Sequence, residues 1–165
     1  MRYLLLAIFV FVFMHLNAQR FFSGNGDYSL LINENVIVKH VETDNNGFID
    51  SYILRQNGTF SYMLSITRVN MPSVTTETIY SEDFKQSYLK ECGCKIIDEK
   101  KVFLKNFNGI RYTINAELNG ARIKGFSVST VSSKILYTVN FLAEENKFSS
   151  FMSEFEKIVN NLAFR

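Results

Sequence analysis

Five of the eight glycines in this 165-residue chain follow an asparagine: Asn25-Gly26, Asn46-Gly47, Asn57-Gly58, Asn108-Gly109 and Asn119-Gly120. Both residue types tolerate positive φ, which the tight type I′ turn of a β-hairpin requires at its two central positions. Four of the pairs stand between runs rich in β-branched and aromatic residues. They read as four tight turns of an antiparallel sheet.

The pattern can be carried to individual pairs. A two-residue loop at Asn57-Gly58 sets Ile53 opposite Tyr62, Ser51 opposite Leu64 and Ile49 opposite Ile66. Before Asn119-Gly120, Ile110, Tyr112, Ile114, Ala116 and Leu118 alternate with Arg111, Thr113, Asn115 and Glu117. The returning strand keeps that phase at Ala121 and Ile123 and changes it at Phe126 and Val128. The change predicts a β-bulge near Lys124-Gly125. A further run, Ile135 to Leu142, is apolar on both faces and is expected at the centre of the sheet.

Two segments switch to helical period. Glu82 to Glu91 carries Phe84, Tyr88 and Leu89, with Ser81 placed as N-cap. At the C-terminus Phe148, Phe151, Met152, Phe155, Ile158, Val159 and Leu162 form one stripe, the pattern of a helix docked on a sheet. The single proline, Pro72, falls in the connection Val69 to Thr78. The expected order is three or four strands, a helix, four strands and a long final helix, in one α+β domain.

Ahead of all this stands MRYLLLAIFVFVFMHLNA. Arg2 supplies a positive start, Tyr3 to Met14 is an unbroken apolar run, and Ala18 offers a small side chain before Gln19. That is the layout of a secretory signal peptide, and the run is short of the ~20 residues of a membrane span. The reading is a leader at residues 1–18 and a mature domain at 19–165, periplasmic or secreted. The nearest cysteine to the cut is Cys92, which excludes a lipoprotein-type anchor.

Composition then removes function classes. Losing Arg2 with the leader lowers the formal net charge of +2 by one, which makes no electrostatic case for nucleic acid or an anionic membrane. Of the two histidines His15 leaves with the leader, so His40 is the only imidazole of the mature chain. A catalytic zinc site built on two or three histidines is excluded, and a Ser-His-Asp arrangement is disfavoured. His40 reads as a half-buried structural residue in the strand Val36 to Val41. Lys95, Lys100, Lys101 and Lys105 are interleaved with Asp98 and Glu99, which reads as a solvated strand face. Glu82-Asp83 and Glu144-Glu145 read as acids at helix starts. Asn57-Gly58-Thr59 fits the N-glycosylation sequon as well as the turn.

Cys92-Gly93-Cys94 is the one constellation with possible chemistry. In an oxidising compartment the two thiols can close a small disulfide ring, with Gly93 permitting the turn. Free thiols, a redox-active pair and two ligands of a metal site are the other readings. The metal reading lacks two further ligands. The redox reading places a thiolate at a helix C-terminus, the unfavourable end of the dipole, with Lys90 and Lys95 offsetting part of the effect.

The closing stretch carries a resemblance. Asn108-Gly109-Ile110-Arg111-Tyr112, then Lys134 to Phe141, then Phe151 to Phe164 ending Ile158-Val159-Asn160-Asn161-Leu162-Ala163-Phe164, resembles the PsbP/Mog1-like α/β/α sandwich over residues 28–165. The resemblance implies a non-enzymatic assembly, stabilising or regulatory partner, with no catalytic residue and no cofactor. The expected function is therefore an exported binding or accessory protein for a protein partner or small ligand. The alternative is a periplasmic thiol-disulfide redox protein using Cys92 and Cys94.

Overall fold

The fold is organised around its ninth strand. The computed structural model describes residues 18–22, 26–33, 36–44, 47–56, 59–104 and 106–165. The leader call at 1–18, apart from Ala18, and the turn calls on Asn25, Asn46 and Asn57-Gly58 lie outside the described residues, as does Lys105.

The strands are β1 (Ala18–Phe22), β2 (Tyr28–Asn33), β3 (Val36–Thr43), β4 (Gly47–Gln56), β5 (Thr59–Asn70), β6 (Lys95–Phe103), β7 (Asn108–Leu118), β8 (Ala121–Ser132), β9 (Ile135–Glu144) and β10 (Ala163–Phe164). The helices are α1 (Thr76–Ile79), α2 (Glu82–Cys92) and α3 (Phe148–Asn161). A seven-stranded antiparallel sheet runs β3-β4-β5-β9-β8-β7-β6, with β9 in the middle as its two apolar faces require. A smaller sheet, β1-β2-β10, lies in a second layer with α3.

Both faces of the large sheet carry packed elements, the second face only in part. On one, Phe126, Val128, Val139, Phe141, Leu64 and Ile66 meet Phe148, Phe155, Ile158 and Val159 of α3 and Tyr28, Leu30 and Ile32 of β2. The Phe155 ring stacks at 4.7 Å from Phe141 and 5.3 Å from Phe126. Arg111 lies 4.3 Å over the Phe126 ring and pairs with Glu156 at 2.8 Å, fixing α3 along the strands. The helix ends at Leu162, and β10 then pairs with β2 while Phe164 stacks on Tyr137. On the opposite face Val74, Ile79, Ile110, Tyr112 and Ile114 form a smaller core beneath α1 and α2. Ser81 caps α2 by accepting from the Phe84 N–H, as its sequence position predicts.

Five details depart from the sequence reading. The β4–β5 register is offset by one, because Arg55 pairs with Phe60 while Leu54 pairs with Tyr62. Ser61 is the inserted residue. The bulge turns Phe48, Asp50, Tyr52 and Leu54 toward the core and sends Ile49, Ser51 and Ile53 to the other face. This buries the two larger aromatic side chains.

No bulge occurs at Lys124-Gly125. The β7–β8 register runs unbroken from Gly109↔Thr130 to Leu118↔Ala121. The apolar phase changes because β8 is buried on both sides. Phe126 and Val128 face α3, and the small Gly125, Ser127 and Ser129 lie on the face beneath Tyr112. Asn108-Gly109 opens strand β7 instead of forming a turn, whereas Asn119 (φ 52°) and Gly120 (φ 78°) make the expected one. Glu144 ends β9 and pairs with Lys147 at 2.7 Å, and Glu145 faces Arg122, so neither acid belongs to the first turn of α3. Five strands precede the first helix.

Candidate functional site: a groove between α2 and the sheet

α2 buries no residue completely. It leans on the β6–β7 side, where Tyr88 packs 5.3 Å from the Tyr112 ring and Phe84 joins the same cluster. The sheet beyond it is left open as a groove of about 830 Å³. Its floor is the alternate face of β5 and β9: Met63, Ser65, Thr67 and Val69 beside Leu136, Thr138, Asn140 and Leu142. Ile114 and Ala116 of β7 form the far side of the floor, and Phe84, Ser87, Tyr88 and Glu91 of α2 form the wall.

The floor is low because its central side chains are small. Ser65, Asn140 and Ser127 lie opposite one another across three strands, and Thr67, Thr138 and Ser129 form the next row. Asn140 donates to Ser65 Oγ at 3.3 Å, and the Ser129 and Thr138 hydroxyls lie 3.2 Å apart. The result is a band of hydroxyl and amide groups bordered by apolar side chains, a common composition for ligand pockets of this size.

The two phenols beside the wall are kept neutral. Burial pushes the Tyr88 hydroxyl up. Burial, with Glu99 and Glu82 adding to it, pushes Tyr112 up to about 12. Both phenols are thus protonated near neutral pH and are not bases there.

Cys92 and Cys94 stand at one end of this groove, joined by a disulfide with Cα atoms 5.1 Å apart. Gly93 caps α2 in the left-handed region (φ 58°), its N–H donating to Leu89 O at 3.1 Å, and the Cys94 N–H points at Cys92 Sγ at 3.2 Å. The pair thus sits at the C-terminal end of a helix. Lys85 reaches Glu99 at 2.7 Å and Lys101 lies over the Tyr80 ring, so the lysines of this region are interleaved with acids and rings.

A second polar cluster lies on the opposite face, and nothing in the sequence reading singled it out. Asp50 is buried, accepts from the Tyr28 hydroxyl and pairs with His40 Nδ1. The Tyr28 and Tyr52 hydroxyls are 2.5 Å apart. His40 is half-exposed on β3, as its strand position suggested. The signal was present: His40 and Asp50 are equidistant from the β3–β4 turn and so fall opposite each other. Among the described residues no group of three or more His, Cys, Asp or Glu could hold a metal ion. Among them too, no helix is long and apolar enough to cross a membrane.

These layers and strand order define a PsbP/Mog1-like fold. The chain superposes on the solution structure of cyanobacterial PsbP (CyanoP) from Synechocystis sp. PCC 6803 with a TM-score of 0.67 at 14% identity, over 91% of this chain and 94% of that one. The Ran-binding protein Mog1p of Saccharomyces cerevisiae gives 0.60 at 8% identity, over 90% and 95%. LpqN of Mycobacterium tuberculosis, described as involved in cell envelope biogenesis, gives 0.51 at 13% identity, over 90% and 91%. At these identities the likeness establishes the fold alone. No protein-family model and no curated protein sequence matches the chain.

Proposed function

We propose that this chain is an exported, non-catalytic binding or accessory protein. Residues 1–18 direct export, residues 19–165 form the mature periplasmic or secreted domain, and a ligand or a segment of a partner occupies the groove between α2 and the sheet. The observation that carries this reading is the groove: an open trough of about 830 Å³ lined mainly by apolar side chains, hydroxyls and an amide, with Asp83 and Glu91 on the helix side. Such a lining holds and orients a ligand. The floor hydroxyls of Ser65 and Thr138 bond to Asn140 and Ser129. The fold shared with Mog1p, a Ran-binding protein, supports a role in partner binding.

The test is titration of mature protein with Nile red, a neutral apolar fluorophore, in the parent and in Thr138→Trp and Ala116→Trp, which fill the groove from its floor. Saturable binding in the parent, weakened at least about tenfold in both variants, is the expected result. Binding indifferent to both substitutions would overturn the groove as the site. Export is checked separately by N-terminal sequencing from the native host, where the mature chain should begin at or near Gln19.

One observation favours a second reading: the Cys92–Cys94 disulfide lies at the end of the groove with Cys92 exposed. A thiol-disulfide redox protein would show disulfide-reductase turnover that disappears in the Cys92→Ser/Cys94→Ser double variant. Absence of turnover in the parent removes this reading.

A further inference from the structure

Asp83, Ser87 and Glu91 of α2 stand at successive i, i+4 positions and form one row along the helix, and all three line the groove. This row is the rim. Its members are exposed, while Phe84 and Tyr88 of the neighbouring row are part-buried against the sheet. The two acids lie about 12 Å apart along the helix axis. Among the described residues no Lys, Arg or His lines the groove. Nor does either carboxylate have an ion-pair partner among them. Lys85 of the same helix is turned to β6, where it meets Glu99 at 2.7 Å.

Helix stability accounts for only one of these acids. Asp83 is in the first turn, where negative charge suits the dipole. Glu91 is in the last turn, where it opposes the dipole.

The floor limits what the rim can be for. Along β5 and β9 the apolar pairs Met63–Leu142 and Val69–Leu136 bracket the polar pairs between them, and they stand about 20 Å apart. Both strands are interior to the sheet, β5 between β4 and β9, and β9 between β5 and β8. Their main-chain groups are already paired, so a peptide laid on the floor finds no open ladder to join. Recognition runs through side chains, the mode of a small molecule with its own apolar and charged parts.

We propose that the groove binds a small amphiphilic cation, its apolar body on the floor and its ammonium group held at the rim by Glu91 and Asp83. This ligand class presupposes that the groove is the binding site and adds the sign of the ligand's charge. An anionic amphiphile meets two like charges at the rim and no cation to offset them, and is rejected.

The probes are decyltrimethylammonium and decanoate, each below its micelle concentration, titrated into the mature protein by isothermal calorimetry. The cation is expected to bind saturably, at least about tenfold more tightly than the anion. Added salt should weaken it. D83N/E91Q should bring the two probes within about threefold of each other, and Thr138→Trp and Ala116→Trp should each weaken the cation at least about tenfold. No binding of the cation, equal binding of the two probes, or a preference that survives in D83N/E91Q would overturn the proposal, and Nile red bound in the groove would still stand. Cation binding indifferent to both tryptophans would put it on the outer surface of the helix and overturn the proposal as well. Nile red binding indifferent to both tryptophans removes the groove itself, and this ligand with it. Both acids are exposed, and circular dichroism of each variant verifies its fold.

Discussion

The carboxylate of Asp50 accepts the hydroxyl proton of Tyr28, which joins the two sheets through a group only 2% exposed. Tyr28 comes from β2 in the small sheet and Asp50 from β4 in the large one. His40 completes the carboxylate's shell from the protein surface. A buried charge persists where its oxygens are fully bonded, so each donor matters beyond its own bond.

Tyr28→Phe is expected to cost roughly 1–3 kcal/mol in urea unfolding, the penalty of leaving a buried acceptor without its donor. His40→Ala should cost less, because water can reach the place its ring vacates. Equal losses for the two would show that the Tyr28 bond is no stronger a constraint than a surface contact.

Phe155→Ala removes a ring stacked between Phe126 and Phe141 and should cost roughly 3–5 kcal/mol. Phe103→Ala, at a position 75% exposed, should change stability by less than about 0.5 kcal/mol. Denaturant melts of the two variants side by side check the docking of α3.

Gly125→Ala would set a Cβ against Phe141 O at 2.4 Å, and a strand carbonyl in the middle of the sheet cannot yield. A loss of about 2–3 kcal/mol is expected. A neutral result would mean that β8 and β9 are farther apart than described.

Stability should be insensitive to phenol ionisation up to about pH 10 and fall above it. Burial raises Tyr52 and Tyr112 to about 12 and raises Tyr28 and Tyr62 further in the same direction. Their folded values lie above the unfolded value near 10. The unfolded chain therefore loses protons first, and each such group removes about 1.4 kcal/mol per pH unit until its folded pKa is reached. Urea melts between pH 9 and 12 are the measurement, with the slope reduced in Tyr112→Phe.

Replacing Cys92 and Cys94 with Ser should lower stability by only roughly 1–2 kcal/mol, since so small a ring constrains few unfolded conformations. Nile red binding should persist. Loss of binding in this variant would make the disulfide a structural part of the groove.

The sequence by itself determined the elements of this protein. Asn119-Gly120 dictates a turn because both residues accept positive φ, Ser81 starts a helix because its hydroxyl caps one, and the stripe from Phe148 to Leu162 has one apolar side that must be buried. Ile135 to Leu142 is central because apolar residues on both faces exclude an edge. These are local properties of φ, side-chain chemistry and periodicity. What only the tertiary structure decided depends on which layer covers which face. The Ser61 bulge chose Tyr52 over Ile53 for the core, and coverage on both sides, not a bulge, explains the phase change at Phe126. The groove exists because α2 stops short of β5, and the Asp50 cluster exists because a strand from a second sheet brings Tyr28 to it. No spacing within one segment encodes such meetings, because their energy comes from surfaces that become neighbours only when the chain has closed on itself.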